Sequence, residues 1–114
     1  MNFIDFEVGN KTYKLRLNTR NIVLLEKNIG CNPLAIFGVN NDTIPTITTM
    51  VSILHASLQQ YHHGITLNDA FDIFDEYLAE GHATTDFIPM ILEIYKASGI
   101  VPKDSDKELS EKND

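Results

Sequence analysis

Histidines are the first side chains to consider for chemistry, because an imidazole can bind a metal ion or transfer a proton near neutral pH. The chain carries His55, His62, His63 and His82. On one helix, His55 and His62 would lie about two turns apart, too far to hold one ion directly. There is no cysteine cluster and no His-Glu-x-x-His spacing. The sequence therefore predicts no metal site and no cofactor.

Four carboxylates form the second candidate site: Asp72, Asp75, Glu76 and Glu80. A calcium site or an acid–base pair would use such groups, but a calcium loop also needs glycine and alternating oxygen donors. Helical spacing predicts instead that the four line the solvated side of a helix. They remain our candidate partner-binding residues, facing a basic segment of another protein.

Nucleophilic catalysis has no support in the sequence. Cys31 is the single cysteine, no serine stands in a recognisable nucleophile motif, and no glycine-rich phosphate loop is present. We therefore expect a protein that binds rather than an enzyme, with no catalytic residues. A lone cysteine and an acidic N-terminus without a long apolar run favour a cytoplasmic protein.

Charge is distributed unevenly along the 114 residues, whose net charge is −7. Residues 1–30 carry +2, residues 31–102 carry −7 and residues 103–114 carry −2. An acidic surface repels phosphate backbones, so nucleic acid is not an expected partner. No segment approaches the ~20 apolar residues that cross a bilayer, so no membrane association is expected.

The elements that would position these groups begin with a β-hairpin at residues 3–17. Residues 3–8 and 11–17 alternate in polarity around Gly9-Asn10. One register places Val8 opposite Tyr13, and a shift of two residues preserves the same faces, so both remain open. Two strands alone are marginally stable, so the hairpin must pack on helices or on another copy.

Helices are predicted at about 19–29, 33–37, 45–62, 67–80 and 85–98. Thr19 or Asn18 would cap the first, Gly30 would end it, and Thr66 with Asp69 would form a capping box. The expected inward-facing residues of the last three helices are Ile47, Val51, Leu54, Leu58 and Tyr61; Leu67, Ala70, Phe71, Phe74 and Leu78; and Ile88, Ile91, Leu92 and Tyr95.

The fold class is therefore α+β, mostly α: one domain at residues 1–102, with the hairpin packed on about five helices. Residues 38–43 are predicted to be a loop. Residues 103–114 contain a single apolar side chain, Leu109, and are predicted to be a disordered polar tail.

Several of these features together resemble the tail assembly chaperones of long-tailed phages and prophages. The resemblance covers roughly residues 4–102. It is carried by the hairpin turn Gly9 to Tyr13, Leu15-Arg16-Leu17, Leu25-Glu26 before Gly30, Asn32-Pro33-Leu34 through Phe37, Asp75-Glu76-Tyr77 and Ser98-Gly99.

The resemblance implies a small protein of the host cytoplasm that binds the tape-measure protein and helps to recruit tail-tube subunits during tail assembly. Such a protein is absent from the finished particle and is expected to self-associate. A hypothesis of a different class is a small metal- or ligand-binding regulatory domain that uses His62, His63 and the acidic helix.

Overall fold

Two strands and a set of helices follow one another in this computed structural model, which describes residues 2–37 and 44–103. The α+β, mostly α fold with an N-terminal hairpin is confirmed. Four α-helices and two short 3-10 helices in the described ranges take the place of the five expected helices. The elements are β1 Ile4–Val8, β2 Lys11–Leu15, α1 Thr19–Ile29, a 3-10 helix Pro33–Phe37, α2 Ile47–Leu58, α3 Leu67–Ala79, a 3-10 helix Thr84–Asp86 and α4 Phe87–Ser98.

The hairpin has a two-residue turn at Gly9-Asn10. Gly9 adopts a φ of 63°, in the left-handed region that glycine occupies without steric cost. The register with Val8 opposite Tyr13 is wrong, and the register shifted by two residues is present. The pairs are Ile4 with Leu15, Asp5 with Lys14, Phe6 with Tyr13, Glu7 with Thr12 and Val8 with Lys11.

Strand β2 ends at Leu15, two residues earlier than predicted, because the next backbone donors bond to helices. The Arg16 N–H donates to the Ser57 carbonyl at 2.9 Å. The Leu17 N–H donates to Ser98 Oγ at 2.8 Å. These bonds join the end of the hairpin to α2 and α4.

Helix α1 has the predicted bounds and stop signal. Its N-cap is Asn18 rather than Thr19, since Asn18 Oδ1 accepts from the Asn21 N–H at 2.9 Å. Gly30 adopts a φ of 75°, and its N–H donates to the Glu26 carbonyl. Capping by a short polar side chain and left-handed termination by glycine thus define both ends.

Helix α2 is central and shorter than the predicted 45–62. It begins after its N-cap Thr46, and its Met50–Leu58 segment is buried on almost every side. Such a helix packs against several neighbours at once. The predicted inward-facing residues fail at both ends, where Ile47 is 44% and Tyr61 39% exposed.

Helix α3 has the predicted Thr66–Asp69 capping box but not the predicted buried face. Leu67 and Phe71 are exposed, which contradicts the expectation. The aromatic rings explain the difference, because Phe74 and Tyr77 pack against Phe87 at centroid distances of 5.4 and 6.3 Å. The buried residues of α3 are Ala70, Ile73, Phe74 and Tyr77.

Helix α4 begins at Phe87, after the 3-10 turn, and Pro89 lies in its first turn as predicted. Its buried face is Phe87, Ile91, Ile94 and Tyr95, whereas the predicted Ile88 and Leu92 are half-buried. The predicted loop at 38–43 and the predicted tail beyond Lys103 lie outside the described residues.

Candidate partner-binding groove

An open groove of about 850 Å³ lies between β2, the turn that follows α2, and α3. One wall is formed by carboxylates of α3. The other is formed by side chains of β2 and of the turn. The lining residues are Lys11, Thr12, Tyr13, Tyr61, His62, His63, Gly64, Ile65, Asp69, Asp72, Ile73 and Glu76.

The groove contains two of the four carboxylates predicted from the sequence. Asp72 and Glu76 are four residues apart and share one side of α3, which faces the groove. Asp75 is exposed and is not among the lining residues. Glu80 has a structural contact instead, since its Oε2 accepts from the Gly9 N–H at 2.6 Å and ties the hairpin turn to α3.

A third carboxylate of this wall is Asp69, for which the spacing from Thr66 predicts helix capping and not a place in the site. It does cap the helix: Asp69 Oδ2 accepts from the Thr66 N–H at 3.0 Å. Hydrogen bonds from the Thr66 backbone and then its side chain lower the pKa of Asp69. The positions 69, 72 and 76 recur at helical spacing, which could have revealed the full wall.

The carboxylates facing the groove form no ion pair within the described ranges, although Lys11 lines the same groove. The ion pairs there are His82 with Asp86 and Lys96 with Glu93. Asp72 and Glu76 therefore have no cationic partner among residues 2–37 and 44–103. Their charge is available to a segment of another molecule that enters the groove.

His62 binds a backbone donor at the outer edge of β2. Its Nε2 accepts from the Lys14 backbone N–H at 3.0 Å. The Tyr13 ring meets the imidazole edge to face at 5.4 Å. The Arg16 N–H, directly after β2, is likewise engaged by the Ser57 carbonyl. A partner strand therefore cannot pair with Lys14 and Arg16 without displacing bonds within the chain.

One family model matches nearly the whole chain. Residues 4–113 match a family described as a family of unknown function, DUF6096. The chain belongs to this family. No curated protein and no solved structure matches it. All lining residues of the groove fall within the matched range of this DUF6096 chain.

Among residues 2–37 and 44–103, no three His, Cys, Asp or Glu side chains come together as a metal site. No helix of those ranges has the length and apolar character required to cross a bilayer.

Acidification should destabilise this DUF6096 chain through its histidines. Burial and then the charge of Lys14 lower the pKa of His62, and burial lowers the pKa of His55. The unfolded chain thus takes up protons more readily than the folded one. The histidine contribution is fully present above the ordinary pKa of 6.5 and is lost as the pH falls from there through the lowered pKa of the folded protein.

We expect the thermal midpoint to fall between pH 7.5 and 5.5, and to fall less in His62→Gln, which keeps an acceptor but does not titrate. Thermal unfolding followed by circular dichroism at each pH measures both slopes. Equal slopes in the two proteins would show that His62 does not contribute to the pH dependence.

Proposed function

We propose that this protein is a tail assembly chaperone of a long-tailed phage or prophage. In this proposal it acts in the host cytoplasm, binds the tape-measure protein, helps to recruit tail-tube subunits and leaves before the particle is finished. It performs no catalytic step. The sequence resemblance over residues 4–102 supports the proposal, and so does the exposed side of α3.

The observation that carries the proposal is a pair of apolar side chains on that side. Leu67 is 39% and Phe71 36% exposed, one helical turn apart. Around α3, Asp75 lies next to Phe71, and Asp72 lies beyond Asn68, so the apolar pair borders a polar rim with two carboxylates. A client helix could bury apolar side chains on Leu67 and Phe71 while its basic residues pair with the rim.

A chaperone that tube subunits later replace must bind its client reversibly. A contact centred on two half-exposed side chains is small compared with a stable protein interface. Many copies along a filamentous client would raise the overall affinity while each contact stays weak. Because the Lys14 and Arg16 donors at this edge are bonded within the chain, we expect self-association through a helix face rather than through that edge.

Co-expression tests the proposal. A helical fragment of the tape-measure protein, encoded by a very long reading frame expected immediately downstream, should be soluble with this protein and aggregate without it. The variant Val23→Gln with Leu34→Gln should keep the fragment soluble, since it changes two exposed apolar side chains that lie outside α3. An equally insoluble fragment in the presence of the protein would contradict the proposal.

Charge reversal on the acidic wall should slow client association. Asp72→Lys with Glu76→Lys replaces exposed carboxylates, so the fold should persist while the attraction for basic client residues is lost. The rate difference from the unchanged protein should shrink as salt rises, because exposed charges are screened beyond about 8 Å at physiological ionic strength.

Stopped-flow association with the client fragment at two salt concentrations measures this effect. Glu26→Lys with Glu93→Lys changes the net charge equally at exposed positions of α1 and α4, and neither residue lines the groove. If this control slowed association as much as the α3 variant, the effect would belong to total charge and not to the groove.

A further inference from the structure

A second pocket, of about 530 Å³, lies where the chain leaves α4. It does not share a lining residue with the groove. Basic side chains occur at its lining, and the turn after α4 supplies apolar ones. The lining residues are Asn2, Arg16, Lys96, Ala97, Ser98, Gly99, Ile100, Val101, Pro102 and Lys103.

Arg16 is the unusual residue of this pocket. A guanidinium has five N–H donors. The Nη1 atom of the half-buried Arg16 donates to Gln60 Oε1 at 3.1 Å. Its Nε is buried and has no acceptor among the described residues. A buried donor without a partner is unfavourable, so the arrangement calls for an acceptor that the described ranges do not supply.

No hydrogen bond from Arg16 to the end of α4 is present among the described residues. Two carbonyls of the last turn accept backbone donors instead, from Gly99 to Lys96 at 3.2 Å and from Ile100 to Tyr95 at 2.9 Å. Two further cations line the pocket: Lys96, which pairs with Glu93 at 3.4 Å, and the exposed Lys103.

We propose that this pocket binds a carboxylate of an acidic peptide segment, held by the Arg16 guanidinium. A planar carboxylate has two oxygens that match the guanidinium fork, and charged pairs of this kind are the stronger hydrogen bonds. Ile100 and Val101 offer apolar contact to the methylenes that carry the carboxylate. The proposal goes beyond the chaperone function, because the pocket is separate from the α3 surface assigned to the client.

The carboxylate could come from either of two sources. Residues 104–114 of this chain follow directly after the pocket residue Lys103 and include five acidic side chains. Another protein could supply an acidic segment with the same chemistry. The site is the same in both cases, and the test separates the sources.

Nitrogen-15 NMR of the Arg16 Nε–H resonance tests the proposal, with the exposed Arg20 as an internal control. The full chain is compared with a full-length variant whose acidic residues are neutralised, each before and after titration with an acetylated, amidated peptide of alternating aspartate and serine. The substitutions are Asp104→Asn, Asp106→Asn, Glu108→Gln, Glu111→Gln and Asp114→Asn.

A shift of Arg16, but not Arg20, on neutralisation would identify the chain's own segment as the source. A shift only on peptide addition would identify a segment of another protein. Arg16→Lys keeps the charge but loses the fork, and should weaken peptide binding by roughly tenfold or more. An Arg16 resonance unchanged in every arm would overturn the proposal without depending on any variant's stability.

Discussion

Replacing Phe6 with alanine should lower the free energy of unfolding by about 3–5 kcal/mol, as expected for removing a fully buried aromatic side chain. Phe6 is 1% exposed. Its ring lies 5.1 Å from that of Tyr77 and 5.7 Å from that of Phe87. One side chain of β1 thus packs against both α3 and α4.

The size of the effect follows from the weakness of the hairpin by itself. Two strands do not hold together in water without a packed face, so a cavity at Phe6 weakens the attachment of β1 to the helices. The predicted loss includes both the apolar surface no longer buried and the cavity left among the aromatic rings.

Urea unfolding followed by circular dichroism measures this change. Phe3→Ala is the matched control, since Phe3 is half-buried and lies just before β1 against Tyr61. We expect the control to lose clearly less stability. A change for Phe6→Ala within about 0.5 kcal/mol, the range typical of surface positions, would contradict the packing of the hairpin described above.

The second large effect is expected on function. Leu67→Gln with Phe71→Gln should abolish most of the client solubilisation, because it removes the exposed apolar pair that the proposed interaction uses. Apolar anchors near the centre of a contact contribute most of its energy, whereas the surrounding polar rim contributes little. The polar rim alone should therefore not retain the client.

Soluble client recovered from co-expression measures this loss, after circular dichroism has shown that the variant is folded. Val23→Gln with Leu34→Gln should leave recovery unchanged, since these side chains are similarly exposed but lie on other elements. Full recovery with the folded α3 variant would remove this surface from the proposed function.

Local signals in the sequence predicted the ends of the helices well. The Thr66–Asp69 capping box and the left-handed Gly30 are each decided by residues within one turn. Asn18 and Thr19 are neighbours and both suit an N-cap. The sequence therefore does not show which of the two side chains caps the helix, and in the structure it is Asn18.

The hairpin register could not be predicted because two registers share the same faces. The one that forms places Gly9 in the left-handed region of a two-residue turn. It also lets the Gly9 N–H reach Glu80, a contact 71 residues away in the sequence. Such a contact exists only once the hairpin and α3 have packed together.

The buried face of α3 was mispredicted for a related reason. Apolar residues surround more than half of this helix, so periodicity allows a face centred on Phe71 or one centred on Ile73 and Tyr77. Packing against Phe6 and Phe87 selects the second. That choice exposes Leu67 and Phe71.

Sequence spacing predicted part of the acidic wall of the groove but not the opposite wall. Asp72 and Glu76 share the side of α3 that faces the groove, whereas Asp75 lies farther around the helix. Glu80 accepts a hydrogen bond from the Gly9 N–H in the hairpin turn, and sequence spacing cannot show such a contact. The opposite wall, from β2 and the turn at His62, is brought to α3 only by tertiary packing.

The number of copies bound along the client tests the central claim most directly. Analytical ultracentrifugation of complexes with tape-measure fragments of increasing length gives this number from the mass of each complex. A chaperone that covers a filamentous client through weak repeated contacts should bind in a number that rises with fragment length. No complex at any length, or one copy whatever the length, would contradict the proposed function.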